Sequence, residues 1–252
     1  MGQFGIAILS QLPILQTRNH RYKRYKGKTL RNAQACLIAL PPPSSATSLQ
    51  DTKTKQQKSS TRAIWVVNTH LGCHSGGEQR EQAMELVVFL RSLSQPLLQD
   101  VDTCTNTSTT PQTDIVPLSL IILCGDFNSP PFFRSMEVIR RAGFVDAWEC
   151  GGDGLRNDKR GCTFPSDGRL PGLPSICSLM CCCKTPLLRL DYIWFRDESE
   201  SFARKDHKSN GEGSDACNEG IVLKRACVVS NDAARCASDH LPIACYFDVC
   251  YR

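Results

Sequence analysis

Apolar residues fall along this chain in two rhythms. Ala63–Asn68 (AIWVVN) and Leu118–Cys124 (LSLIILC) are near-continuous apolar runs, the pattern of strands covered on both faces. Phe4–Ile8, Ala33–Leu40, Leu190–Phe195, Ile221–Val229 and Ile243–Val249 are further apolar runs that predict strands. The second rhythm is helical. Within Glu78–Leu93, the residues Ala83, Leu86, Val87, Phe89, Leu90 and Leu93 recur at helical spacing and make one apolar face. Pro131–Ala142 predicts a second helix, with proline near its start and Gly143 just past its end. Strands outnumber helices, and helices separate only some of them. This order predicts two sheets packed face to face and flanked by helices.

Four segments interrupt the pattern: residues 41–61, 100–114, 167–185 and 197–220. The first, second and fourth are too polar to offset their chain entropy by burial, so we expect loops inserted into a single domain spanning 1–252. The third surrounds Cys181-Cys182-Cys183 and is more apolar. At 252 residues and 41% hydrophobic composition, the remainder is sufficient for one large core. No apolar run reaches the length of a membrane-spanning helix. Positive charge follows the uncharged opening segment instead of preceding it, the reverse of a secretory signal. The 15 cysteines are odd in number and irregularly spaced, with no double CxxC pair. Mostly free thiols in a reducing compartment, cytoplasm or nucleus, are the expectation.

Charge is uneven. Arg18, Arg21, Lys23, Arg24, Lys26, Lys28 and Arg31 are unopposed by any Asp or Glu before Asp51, although the whole chain carries only +5. The reading we favour is a solvated hairpin whose charges protect a sheet edge from aggregation. The sharper reading is a strip that attracts a phosphate-rich partner.

The candidate chemistry lies at the ends of the predicted strands. Asn68-Thr69-His70-Leu71 follows the first buried run, and Gly125-Asp126-Phe127-Asn128 follows the second. Asp191 begins the Asp-Tyr-Ile-Trp-Phe run, and Ser238-Asp239-His240-Leu241-Pro242 precedes the last strand. Polar groups gathered at strand ends are how a sheet scaffold presents a site. If the backbone stays extended through 126–128, Asp126 and Asn128 share one space and Phe127 turns to the core. A carboxylate beside an amide can take a proton from water and hold that water in line. Gly125 permits close backbone approach. Asp239 offers the hard oxygen that a divalent cation such as Mg²⁺ prefers. His240 can activate water if a carboxylate, with Asp191 the candidate, orients its ring. His70 can donate to a phosphate oxygen as charge develops. Taken singly, each has a plain structural reading: an Asx turn, a loop before a strand, a local hydrogen bond.

The ordered set NTHL, GDFN, LDYIW and SDHLP resembles the endonuclease/exonuclease/phosphatase superfamily, the DNase I-like phosphoesterases. FGIAILSQLPI, GEQREQAMELVVFL, Thr163-Phe164-Pro165 and PLLRLDY resemble connecting segments of the same family. The resemblance implies a four-layer α/β sandwich that hydrolyses phosphodiesters or phosphomonoesters with Mg²⁺ or Mn²⁺. It implies that His70 contacts the scissile phosphate, and that Asp126 and Asn128 position or activate water or protonate the leaving group. It further implies that Asp191 pairs with His240 and that Asp239 is a metal ligand. The implied partners are phosphate esters, such as nucleic acid or a phospholipid or inositol phosphate headgroup. In the family, the principal metal-binding Glu and a nearby Asn come from strands before the FGIAILS segment, and here only Met1, Gly2 and Gln3 precede it. The expectations are a start further upstream and weak metal binding by these 252 residues. The alternative is a non-catalytic relative that binds a phosphorylated partner.

Overall fold

The structure is a computed structural model, and it describes residues 5–23, 31–42, 61–93, 115–151, 161–164, 188–197, 220–229, 233–234, 238 and 240–250. All but the end residues of the four inserted segments lie outside these ranges. The elements are β1 (Ile14–Arg21), β2 (Asn32–Ala39), β3 (Thr61–His70), α1 (Gly76–Leu93), β4 (Ile115–Asp126), α2 (Arg134–Arg141), β5 (Val145–Asp146), α3 (Ala147–Gly151), β6 (Asp191–Asp197), β7 (Gly220–Val228) and β8 (Ile243–Cys250). Six strands form a mixed sheet in the order β1-β2-β3-β4-β6-β5, and β7 pairs with β8 in a second sheet.

The period-two alternation of the central strands sorts their side chains between two cores. On β3, β4 and β6, the residues Trp65, Val67, Ile121, Leu123, Tyr192 and Trp194 face one side and join Leu86, Leu90, Met136 and Ile139 of α1 and α2. On the same strands, Ile64, Leu120, Ile193 and Phe195 face the other side and meet Ala226, Cys245 and Phe247 of the small sheet. Burial on both faces explains why β3 and β4 read as continuous apolar runs. Among the described residues the order of layers is therefore α1 and α2, large sheet, small sheet, with α3 packed against β7.

Most predicted elements are present with small boundary changes. α1 opens with Ser75 Oγ accepting the N–H of Glu78 at 3.1 Å, which satisfies an otherwise unpaired amide of the first turn. α2 ends at Gly143, whose φ of 86° is suited to glycine and whose N–H returns to the carbonyl of Arg140 at 2.9 Å. The expected strand Phe4–Ile8 is not one: Gly5–Ile8 is irregular, and Phe4 lies outside the described residues. Instead the neighbouring stretch 14–21 is the strand. Its inward positions are Gln16, Arg18 and His20, so its alternation is not apolar. Arg18 lies over the Trp65 ring at 5.5 Å and His20 stacks on Phe89 at 5.4 Å, so stems and rings do the packing that aliphatic residues usually do. β1 and β2 pair antiparallel with β1 at the sheet edge, while Arg24, Lys26 and Lys28 of the basic strip lie outside the described residues. The short β5–α3 unit had no signal in the pattern of apolar residues.

Cys36, Cys73, Cys124, Cys150, Cys227 and Cys245 are free thiols. Burial pushes the Cys124 thiol up to about 11 and Cys245 up to about 12, so both remain neutral hydrophobes at physiological pH. No described helix is long and apolar enough to cross a membrane.

Candidate active site

Three neighbouring strands finish in line. His70 is the register partner of Asp126 across β3–β4, and Asp126 is the partner of Asp191 across β4–β6. β3 and β4 run parallel and end here, whereas β6 runs antiparallel and begins here. The parity of each strand puts all three side chains on the face that meets the second sheet: His70 with Ile64, Asp126 with Leu120, Asp191 with Ile193. His240 arrives on the same side, in the segment leading into β8.

The side chains meet in pairs. His240 Nδ1 lies 2.7 Å from Asp191 Oδ2. A carboxylate only accepts, so Nδ1–H is the donor and Nε2 is the acceptor nitrogen of the neutral ring. His70 Nε2 lies 3.2 Å from Asp126 Oδ2 by the same logic. An Arg31 guanidinium nitrogen stands 2.8 Å from both nitrogens of His70. Nε2–H already points to Asp126, so Arg31 donates to Nδ1. Ligand atoms of Asp126, Asp191 and His240 all fall within 4.8 Å of one another, and all three residues are partly exposed. The two carboxylates are the oxygen donors that suit a small divalent cation retaining several waters, and the imidazole stands beside them, hydrogen-bonded to Asp191. Asp239, the sequence-predicted metal ligand, lies outside the described residues.

Asn128 reaches the site by a different route from the one the sequence suggested. The backbone does not stay extended through 126–128: Asn128 has φ 49°, and its N–H donates to Asp126 Oδ1 at 2.7 Å. A side chain-capped turn, not strand alternation, brings the two together. Its Nδ2 donates to the carbonyl of Leu71 at 2.9 Å, tying the loop after β4 to the loop after β3. Phe127 turns inward as expected, fully buried and edge-on to Tyr192 at 5.5 Å. Gly125, at φ 137°, lies so close to β3 that a Cβ would come within 1.9 Å of the Thr69 carbonyl oxygen.

Several supporting residues lie in segments that the sequence marked only as family-like, with no role assigned to them. Thr163 is fully buried, and its Oγ1 accepts from the N–H of Leu190 at 3.2 Å and of Asp191 at 3.3 Å. Its carbonyl accepts from Leu241 N–H at 2.8 Å, so one residue holds both halves of the Asp191–His240 pair. Phe164 packs against the His240 ring at 4.7 Å. Behind Asp191, the buried Arg189 donates to Asp146 Oδ2 at 2.7 Å and lies over the Tyr192 ring at 4.7 Å. Burial raises the Asp146 carboxyl above its ordinary range, and the Arg189 charge offsets part of that. Tyr192, its hydroxyl also pushed up by burial, reaches the carbonyls of Ser129 at 2.8 Å and Arg189 at 3.0 Å. The adjacency of Arg189 to Asp191 was the available signal. Its acidic partner, 43 residues away, had none.

Residues 1–240 match the model of the Endonuclease/Exonuclease/phosphatase family. The chain belongs to that family. Its fold is the DNase I-like α/β sandwich of the family, and members of the family are hydrolytic phosphoesterases. Among solved structures, a family member from Bacteroides vulgatus matches with TM-score 0.53 and 13% identity, over 94% of this chain and 66% of its own. The mannosyl-6-phosphatase of Bacteroides thetaiotaomicron matches with TM-score 0.51 and 14% identity, over 94% and 67%. A functionally unknown conserved protein from Enterococcus faecalis V583 gives TM-score 0.51 and 14% identity, over 94% and 67%. The chain therefore spans about two thirds of the length of these structures. No curated protein matches it.

Proposed function

We propose that this chain hydrolyses phosphate esters in a divalent-metal-dependent reaction at the convergence of β3, β4, β6 and the segment before β8. The observation that carries this reading is the clustering of Asp126, Asp191 and His240 beside the His70–Asp126 contact. Four distant stretches of sequence supply those groups, and a core needs none of them.

In this reading His70, braced at Nδ1 by Arg31, turns its Nε2–H from Asp126 to a non-bridging oxygen of the scissile phosphate when substrate binds and offsets its growing charge. Asp126 takes the proton of the attacking water or returns one to the leaving group, and Asn128 holds that water in line. Among the described residues Asn128 Oδ1 has no protein partner, which suits it to accept from water. Asp191 fixes the His240 ring through Nδ1, and His240 Nε2 then faces the reacting groups as an acceptor. Asp239, next to His240 in sequence, and the nearby carboxylates would hold Mg²⁺ or Mn²⁺. Such a cation supplies Lewis-acid stabilisation and a template for the phosphate. A nucleic acid, a sugar phosphate and a phospholipid or inositol phosphate headgroup all present the ester that these groups would act on.

Metal removal tests the reading. The full chain with Mg²⁺ should release p-nitrophenol from bis-p-nitrophenyl phosphate or p-nitrophenyl phosphate. EDTA should abolish release, and Mg²⁺ or Mn²⁺ in excess should restore it. Tight binding of a phosphorylated ligand with no turnover of either ester would instead establish a binding relative.

A further inference from the structure

The loops that carry His70 and Asn128 are held from behind by two glutamines that the proposed chemistry does not use. α1 buries Gln79 and Gln82, at 3% and 2% exposure, within a face otherwise made of Ala83, Leu86 and Leu90. A primary amide in that setting is costly unless it is paired, so its partners indicate its use. Gln82 Oε1 accepts the N–H of Gly72 at 2.7 Å, two residues beyond His70, and its Nε2 donates to Glu78 Oε1 at 3.2 Å. Gln79 Nε2 donates to the backbone carbonyl of Asn128 at 2.6 Å. Rotating that amide would set two acceptors against each other, so its orientation is fixed. Gln79 Oε1 is buried with no partner among the described residues. The contact with Asn128 is thus what keeps this side chain polar.

Asn128 is the one non-glycine residue among the described residues with a positive φ. Two of the bonds that hold it come from the strand-end loops, the N–H to Asp126 Oδ1 and the Nδ2 to the Leu71 carbonyl. The third comes from α1 and anchors the following peptide plane. Without that anchor the plane can turn, Asn128 can relax to negative φ, and its amide leaves the position beside Asp126. We propose that Gln79 is a positioning residue that locks Asn128 in its left-handed conformation, while Gln82 braces the loop after His70 from the same helix face. The kinetic consequence rests on the hydrolytic reading given above, whereas the structural consequence does not.

Gln79→Met keeps length and helix propensity and removes both the donor and the orphaned acceptor, so the fold should survive. In the full chain, amide hydrogen exchange at Phe127, Asn128 and Ser129 should accelerate by on the order of tenfold or more, with exchange in β2 unchanged. Unchanged exchange at those three amides would overturn the proposal. On bis-p-nitrophenyl phosphate with Mg²⁺, kcat should fall roughly tenfold to a hundredfold while KM stays within about twofold. In an Asn128→Gly background, where the backbone needs no lock, Gln79→Met should lower kcat no further. Fully additive losses would show that Gln79 does not act through Asn128. A parent chain that hydrolyses neither test ester would remove the functional reading, and the exchange measurement would still decide the positioning role.

Discussion

Replacing Asp126 by asparagine is expected to slow phosphate-ester hydrolysis by about 10² to 10⁴-fold while the chain stays folded. The substitution is close to isosteric. An asparagine Oδ1 can still accept the N–H of Asn128, so the turn at the end of β4 persists, whereas its Nδ2 cannot accept from His70 Nε2–H and that contact is lost. What is lost is the ability to carry a proton at the centre of the cluster and one negative charge beside the cation. Those losses act on the transition state, so kcat should carry the effect and the melting temperature should shift little. Steady-state rates and thermal unfolding of the same preparation check both halves. A loss below about threefold would mean that proton transfer does not pass through this carboxylate.

Gly125→Ala should act in the opposite way, destabilising the chain by more than about 4 kcal/mol before any question of catalysis arises. β3 and β4 approach so closely at the Thr69–Gly125 register pair that an added Cβ would stand 1.9 Å from the Thr69 carbonyl oxygen and 2.9 Å from Asn68 Oδ1. The first obstacle is backbone within a ladder and cannot swing aside. A φ of 137° adds strain that non-glycine residues rarely bear. In a chain of this size the melting temperature should drop by roughly 10 °C or more. Gly76→Ala, at the start of α1 with nothing within 4 Å of the added methyl, serves as the control and should stay within about 1 kcal/mol of the parent.

Both effects trace back to features that the sequence displayed unevenly. The central strands were legible because burial on both faces leaves a continuous apolar run, and α1 because its apolar stripe follows the helical period. β1 was not, because Gln16, Arg18 and His20 fill its inward positions and pack through stems and rings. The polar residues at strand ends were legible as types without a structural need. Their alignment was not, because the registers His70–Asp126 and Asp126–Asp191 are set by pairing between distant segments. Local geometry also departed from the simple rule at Asn128, where a turn replaced the expected alternation. The supporting residues Thr163, Arg189 with Asp146, Gln79 and Gln82 act through hydrogen bonds to backbone groups or partners far away in sequence. No pattern of composition marks such bonds. Arg31 was read as one charge in a basic strip, and only the fold sets it against His70.

The central claim is that these side chains surround one divalent cation, and Mn²⁺ used as a paramagnetic probe tests it without reliance on a substrate. Substoichiometric Mn²⁺ added to the isotope-labelled chain should broaden the amide resonances of Leu71, Phe127, Tyr192 and Leu241 first. Val88, on the outer face of α1, and Lys224 in β7 should stay sharp. Selective broadening at the strand ends, reversed by excess Mg²⁺, is the result this account predicts. Broadening centred elsewhere, or spread evenly over the acidic surface, would contradict it.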